Sequence, residues 1–480
     1  MDKSKTNSNY EKLASRMDRL PAWGLPYIII PALGLSYFMV FYDADSIGFA
    51  LPYISFITAS EGALISSLGL VGYAIGAIFF SYLSDLYGRK SVLIVTALLT
   101  GIGSFGDAFA VNAIELIVFR MISGIAIGAD IVLVMAYMIE MSPGKIRGKI
   151  SNIIFIVGAA GIGIGNLMAS ILVTSIHTSL GWRLVFGIGG SLAILAIALR
   201  LYMPESVRYL CLAGKYDEAE SIVSTMEQRS MKRANLTTLP PPQPLSYTIE
   251  KTNPFKSILN KKIGIRLSIL YIFQFFFYFA DYAYAIMIPT WVKTLGYGTA
   301  YLNHFILLFG YAMLATLAGA IILRYVIDVV DRRKLLILVV ILYGLGSIIT
   351  AYGAINRDLT LSFIGMIIAL LGLGWIQVNY VVFADNFPSR GRATGMAITD
   401  GAGHFGGSVG LLLILPALAA LGAIYGWAAF WLPALGMAFV VLAFTPFTNK
   451  SRLEEVNEMV LSEREKTVEI EESEVKASEK

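Results

Sequence analysis

The chain of 480 residues is poor in cysteine, histidine and charge. Its one cysteine, Cys211, excludes an intramolecular disulfide framework. Its three histidines are too scattered in sequence for a metal centre. Charged residues make up 15% of the chain, against about 25% in soluble domains. Lys and Arg (37) barely exceed Asp and Glu (33), and a net charge of +4 does not point to nucleic acid as a partner. What the chain has instead is apolar surface: 56% of residues are hydrophobic and mean hydropathy is +0.69. That excludes an intrinsically disordered chain, and a soluble protein of this length would need an implausibly large core. Twelve membrane spans of about 20 residues would use roughly 240 residues, which matches the apolar supply.

Residues 1–20 are polar, with Lys3, Lys5, Lys12, Arg16 and Arg19, and read as a cytoplasmic leader, not a cleaved signal. An apolar segment starts near Trp23, and others follow at 58–82, 91–110, 113–138, 150–174 and 183–202. Residues 203–262 are rich in charge and proline, including Pro240, Pro241, Pro242 and Pro244, and cannot cross lipid. Apolar stretches resume at 263–290, 299–323, 335–353, 358–383, 392–419 and 425–446 before a highly charged tail. The organisation expected is a leader (1–20), a six-helix bundle (21–202), a cytoplasmic linker (203–262), a second six-helix bundle (263–446) and a cytoplasmic tail (447–480). With the N-terminus inside, 33 of the 37 Lys and Arg fall on that side; only Arg183, Lys293 and Arg357 fall on the other, and Arg120 lies within a span. This bias predicts an even number of spans in the cell membrane with both termini cytoplasmic. The Asn235-Leu236-Thr237 sequon then lies inside and stays unglycosylated, and Cys211 is a plain thiol.

The two halves repeat. Asp85-Leu86-Tyr87-Gly88-Arg89-Lys90 follows span two, and Asp328-Val329-Val330-Asp331-Arg332-Arg333-Lys334 follows span eight. After span four an acid, a proline and Arg-Gly occur as Glu140, Pro143 and Arg147-Gly148; after span ten they occur as Asp385, Pro388 and Arg390-Gly391. Gly181-Trp182 precedes span six and Gly426-Trp427 precedes span twelve. Matched positions of this kind indicate a duplicated six-span unit. The Asp85…Arg89-Lys90 loop resembles the signature of the major facilitator superfamily, although Ser81 stands where Gly is usual and the second copy has Asp331 in place of Gly. Arg120-x-x-x-Gly124-x-x-x-Gly128 is similar to the pattern of its proton-coupled members, and Pro204-Glu205-Ser206-Val207-Arg208 to the sugar-porter motif. Phe41-Tyr42-Asp43 and Gly128-Ala129-Asp130 likewise resemble sugar porters and metabolite:proton symporters. Span seven departs from them, with Gln274, Tyr278 and Asp281 where a hexose site carries a Gln-Gln-x-x-Ser-Gly run. The fold implied is all-α: twelve transmembrane helices in two pseudo-symmetric six-helix bundles.

Ionisable groups at membrane depth are costly and mark function. Asp43 and Asp45 are two residues apart, so they point to different surroundings. The resemblance implies that Asp43 faces Arg120 on the central cavity. Solute binding that expels water would change the balance between attraction and desolvation there, and so load or release a proton. The alternative is a permanent ion pair that joins two spans. Asp130, about 80° around the helix from Arg120, is either a second proton site or a gating contact with an arginine. Gln274, Tyr278 and Asp281 form one helical stripe; Trp375, Gln377 and Asn379 cluster in span ten; Asp400 and His404 are one turn apart in span eleven. These are the solute-site candidates, with interhelical hydrogen bonding as the other reading and His404 also a proton-relay candidate. The glycines at 158, 161, 163 and 165 serve helix packing, because no strand precedes them as a nucleotide loop requires. Asp85, Arg89, Glu140, Arg147, Glu205, Arg208, Asp328, Arg332, Asp385 and Arg392 are candidates for cytoplasmic latches between span ends.

The function expected is proton-coupled symport of a small organic solute (sugar, sugar acid or other carboxylate) by alternating access. A uniporter and a non-transporting sensor on the same scaffold are the alternatives. No nucleophile–base set supports an enzyme, and no cofactor or metal is called for. The partners expected are solute, protons and lipid, with the chain a monomer.

Overall fold

The computed structural model describes residues 3–176, 178–242, 261–327, 329–387 and 392–445. Helices dominate. In the first half, span one is Ile29–Ala50, span two Ala59–Tyr87, span three Arg89–Phe109, span four Ala113–Met141, and span six Thr178–Arg200. Span five runs through Gly144–Ala160, a π-turn at Gly161–Gly165, and Asn166–Ser175. In the second half, span seven is Lys261–Thr294, span eight Thr299–Val326, span nine Arg332–Ile355, span eleven Arg392–Leu421 and span twelve Ala423–Phe444. Span ten is broken into Leu359–Leu373 and Gln377–Asn386.

Eleven of these are long and apolar enough to cross a membrane. The twelfth, span one, falls short because Asp43 and Asp45 sit in its second half. It begins at Ile29, later than the apolar segment that opens near Trp23, which leaves Pro21 and Pro26 before the helix. Large apolar side chains such as Ile78, Phe109 and Tyr425 point outward, as a lipid-facing surface requires.

The duplication is visible in the packing. Span two packs on four, three on four and six, and one on five and six; six spans later, eight packs on ten, nine on ten and twelve, and seven on eleven and twelve. The halves meet through spans one and seven, two and eleven, and five and eight. Within each half small residues permit close approach. A Cβ on Gly124 would lie 2.2 Å from the Gly69 carbonyl oxygen, and one on Gly128 2.1 Å from that of Tyr73. The glycines that follow Arg120 therefore seat span four directly on span two. Gly128→Val is expected to cost stability at the upper end of about 1–3 kcal/mol, because backbone and not a movable side chain is in the way; a lowered thermal midpoint of the purified protein checks this. Gly88, the one residue between spans two and three, has φ +97°, and a side chain there would strike Glu205.

The described stretches of the leader and linker are helical and packed. Lys3–Asp18 is a helix whose Leu13 and Met17, with Leu20 just beyond it, pack against Ala219, Val223 and Met226 of the linker helix Tyr216–Ala234. Arg16 pairs with Glu220 at 2.5 Å and Glu227 at 2.8 Å, and Arg19 pairs with Glu227 at 2.5 Å. Burial alone would raise the Glu227 carboxyl, but the hydrogen bonds and charges of Arg16 and Arg19 outweigh it and hold it below the ordinary carboxylate value. Docking therefore gains stability from ionised Glu227. That gain is complete above the ordinary carboxylate value and is lost as pH falls through the lowered one. Glu227→Gln is expected to lower the amide protection factors of residues 11–18 at neutral pH, and to abolish the further loss of protection that acid produces in the wild type. Cys211, in the short helix Val207–Leu212, is packed, and burial pushes its thiol up to about 11.

Candidate functional site

Three polar constellations interrupt the apolar interior. The first joins spans one, three and four. The Arg120 guanidinium donates to Asp43 Oδ2 at 2.9 Å and to the Asp43 carbonyl at 3.1 Å. On its other side it pairs with Asp107 at 2.7 Å. Ser104 donates to Asp43 Oδ1 at 3.3 Å, and Arg120 lies 4.9 Å from the centroid of the Phe186 ring. Asp43, Arg120 and Asp107 are 1%, 5% and 0% exposed. Two carboxylates thus share one guanidinium, and the set carries a net charge of −1 when all are ionised. Asp107 escaped the sequence reading because it lies at the end of an apolar stretch. The rule that singled out Asp43, an acid inside a span, applies to it equally.

The second constellation is sealed inside the first half. Asp130 Oδ2 accepts from Arg200 at 2.5 Å, its Oδ1 accepts from Thr96, and Arg200 also donates to Ser36 at 2.7 Å. Arg200, which counts among the basic residues of the cytoplasmic side, is fully buried at the end of span six. Asp130 and Arg120 face different partners.

The third links the two halves. Asp400 accepts from Tyr380 at 2.7 Å and from Tyr73 of span two at 3.4 Å. His404 bonds to the Asp400 carbonyl at 2.9 Å and to Tyr282 at 3.1 Å, and stacks on Tyr73 with ring centroids 3.5 Å apart. Tyr278 and Tyr380 share a hydroxyl contact of 2.7 Å.

Between the halves lies a cavity of about 60 Å³. Its walls include Phe41 and Asp45 of span one, Tyr278 and Asp281 of span seven, Thr316 of span eight and Tyr380 of span ten. Ile162 in the π-turn, and Gly374 and Ile376 at the break in span ten, also line it. Irregular backbone at membrane depth belongs beside such cavities. A second, smaller cavity, lined by Asp43, Arg120 and Tyr73, shares Ala44 and Tyr282 with the first. Asp43 therefore turns toward span four and Asp45 toward the main cavity. Nearer the end of the bundle away from the termini, the halves are joined by Tyr53 to Asn303 at 2.6 Å, Ser67 to Ser408 at 2.7 Å, and stacked Phe49 and Phe309.

Of the solute-site candidates, Tyr278 and Asp281 line the main cavity, and Asp400 and His404 adjoin it through hydrogen bonds. Gln274 and Asn379 bond to each other at 3.1 Å, away from the cavity lining. Trp375 is buried beside the span-ten break without facing the cavity, and Gln377 is half-buried. Asp45, singled out as a charge at membrane depth, was not placed at the solute site, and Phe41, Phe155, Thr316, Tyr282 and Tyr380 were missed, because helical periodicity ranks faces without saying what stands opposite.

Among the latch candidates, Arg89 pairs with Asp85 at 2.6 Å and Glu140 at 3.1 Å, and Arg208 approaches Glu140 at 3.8 Å. Glu205 accepts the backbone N–H of Lys90 at 3.1 Å, and Ser206 donates to Glu140 at 2.5 Å. These bonds tie spans two, three and four to the linker within the first half. Asp328 and the side chains of Arg147, Asp385 and Arg392 lie outside the described residues. Arg332 opens span nine, and Asp331 caps that helix and pairs with Arg333 at 2.9 Å.

A family model described as "Sugar (and other) transporter" matches residues 9–460. The niacin transporter NiaP of Acinetobacter baylyi is 24% identical over 449 residues, covering 92% of this chain and 99% of its own. The gallate transporter of Pseudomonas putida is 26% identical over 435 residues (89% and 93%), and the arabinose-proton symporter of Bacillus subtilis is 26% identical over 402 (79% and 83%). A structure of the xylose transporter XylE from E. coli, in a partially occluded inward open conformation, superposes with a TM-score of 0.70 at 17% identity, covering 89% of this chain and 99% of that one.

Proposed function

The chain belongs to the major facilitator superfamily, in the family of sugar and other transporters, and from that membership we propose that it is a proton-coupled symporter of a small organic solute, working by alternating access. The observation that carries this reading is the buried Asp43–Arg120–Asp107 set beside the central cavity. One proton brings its net charge to neutrality. Solute entering the main cavity presses on Ala44 and Tyr282, which also wall the smaller cavity at Arg120. Loading a proton on Asp43 frees Arg120 from one of its two anchors and lets the halves rock about the cavity. Asp130 and Arg200 serve as a fixed tie among spans one, three, four and six, not as a proton path. The Arg89–Glu140 cluster acts as a latch at the end bearing the Lys and Arg excess, which we place in the cytoplasm with both termini, in the cell membrane.

The driving force suffices to concentrate solute. One pH unit supplies about 1.4 kcal/mol per proton and 100 mV about 2.3 kcal/mol per charge, together on the order of several hundredfold for a neutral solute. The test is uptake into proteoliposomes with and without an imposed pH gradient: acid outside accelerates uptake if the reading holds, and equal rates would mark a uniporter.

A further inference from the structure

We propose that the main cavity selects a solute carrying a positively charged nitrogen, held between Asp45 and Asp281 against aromatic walls. The proposal rests on the transport reading and deepens it by naming the solute class. Asp45, on span one, and Asp281, on span seven, bring one carboxylate from each half to the same space. No Lys, Arg or His is among the residues lining it. Arg120 faces the adjoining cavity and is already shared by Asp43 and Asp107. Beyond Tyr278, Tyr282 and Tyr380 stand Asp400, another acid, and His404, whose Nδ1 is turned to Asp400 and whose other ring nitrogen is engaged by Tyr282.

The carboxylates are available. Asp45 is 8% exposed, faces the cavity, and has no hydrogen-bond partner among the described residues. Asp281 accepts from Tyr343 at 2.6 Å through Oδ1 only. A further observation points to a ligand: the Thr316 hydroxyl, on the same wall and 2% exposed, is also without a partner among the described residues. Five aromatic rings, Phe41, Phe155, Tyr278, Tyr282 and Tyr380, share the rest of the wall with small and aliphatic residues. Ring faces attract ammonium groups, and more strongly where water is excluded. An anionic solute would meet no positive charge and repel whichever carboxyl is ionised. A neutral one would leave two desolvated, mutually repelling carboxyls to take up protons, whereas a cation favours their ionised form. A cation satisfies both and leaves the Thr316 hydroxyl free to accept an N–H. This departs from the sugar, sugar-acid and carboxylate range expected from the sequence, amino sugars apart.

The test uses the full chain in lipid nanodiscs at neutral pH and triplets that carry positive, no or negative charge on a similar frame: glucosamine, glucose and glucuronate; benzylamine, benzyl alcohol and benzoate; with tetramethylammonium as a bare cation. The amine of at least one triplet, or tetramethylammonium, is expected to raise the thermal midpoint and bind at least tenfold more tightly than its neutral and acidic counterparts. Asp45→Asn is expected to weaken that binding at least tenfold. Because Asp45 has no protein partner, this variant should fold as the wild type does; Thr316→Val gives a smaller loss in the same direction. Tighter binding of an alcohol, sugar or carboxylate member overturns the proposal, as does an absence of binding by every amine or an Asp45→Asn protein that binds the amine unchanged. Binding needs no gradient, so an amine that binds but whose uptake ignores the pH gradient would overturn proton coupling and leave the solute class standing.

Discussion

An Arg120→Met protein is expected to lose folding stability and all solute movement together. The guanidinium is the only cation paired with Asp43 and Asp107 among the described residues, and all three groups are buried. Removing it leaves two carboxylates in the interior without compensation, and breaking a buried pair in this way costs about 3–5 kcal/mol. Arg120→Lys is the informative companion. It keeps the charge, but one ammonium lacks the fork that reaches Asp43 and Asp107 on opposite sides. It should fold better than the Met variant and still transport poorly. Thermal midpoints and counterflow rates of the two proteins check both statements; a Met variant as stable as the wild type would mean that the acids do not depend on Arg120.

Asp43→Asn is expected to behave in the opposite manner, with its fold kept and its coupling lost. Asp107 still neutralises Arg120, so no charge is left uncompensated, and the Asn carbonyl still accepts from the guanidinium. What disappears is the group that gains and gives up a proton. Uptake driven by a pH gradient should fall to the rate seen without one, while exchange of internal for external solute continues. Asp107→Asn leaves Asp43 alone with Arg120, a neutral pair with no charge for a proton to cancel, and is expected to show the same separation. Were counterflow to fall by the same factor as driven uptake, the two acids would be structural ties.

The division into two sets of six spans was legible because lipid and cytosol impose opposite compositions, and because the Asp85…Arg89 and Glu140…Arg147 loops recur six spans later. The Asp43–Arg120 contact was legible for a related reason: charge inside an apolar run needs a partner, and the resemblance named the partner. Asp107 and Arg200 were not, since both stand at the ends of their spans, where a charge looks like part of a loop. Gln274 and Asn379 illustrate the other gap. Each lies on a polar stripe, but their amides meet one another, and only tertiary packing decides whether a stripe faces a cavity or a neighbour. The leader shows it again: Leu13, Met17 and Leu20 follow helical spacing, yet the linker helix they cover is some 200 residues away in sequence.

The central claim is that Asp43 moves a proton with each solute across the bundle. Proteoliposomes loaded with a pH-sensitive dye and given a solute gradient, with no pH gradient imposed, test it most directly. The account predicts that solute entry acidifies the lumen in the wild type and leaves it unchanged with Asp43→Asn, although solute still enters. Equal acidification by the two proteins, or solute entry with no acidification in the wild type, would contradict it.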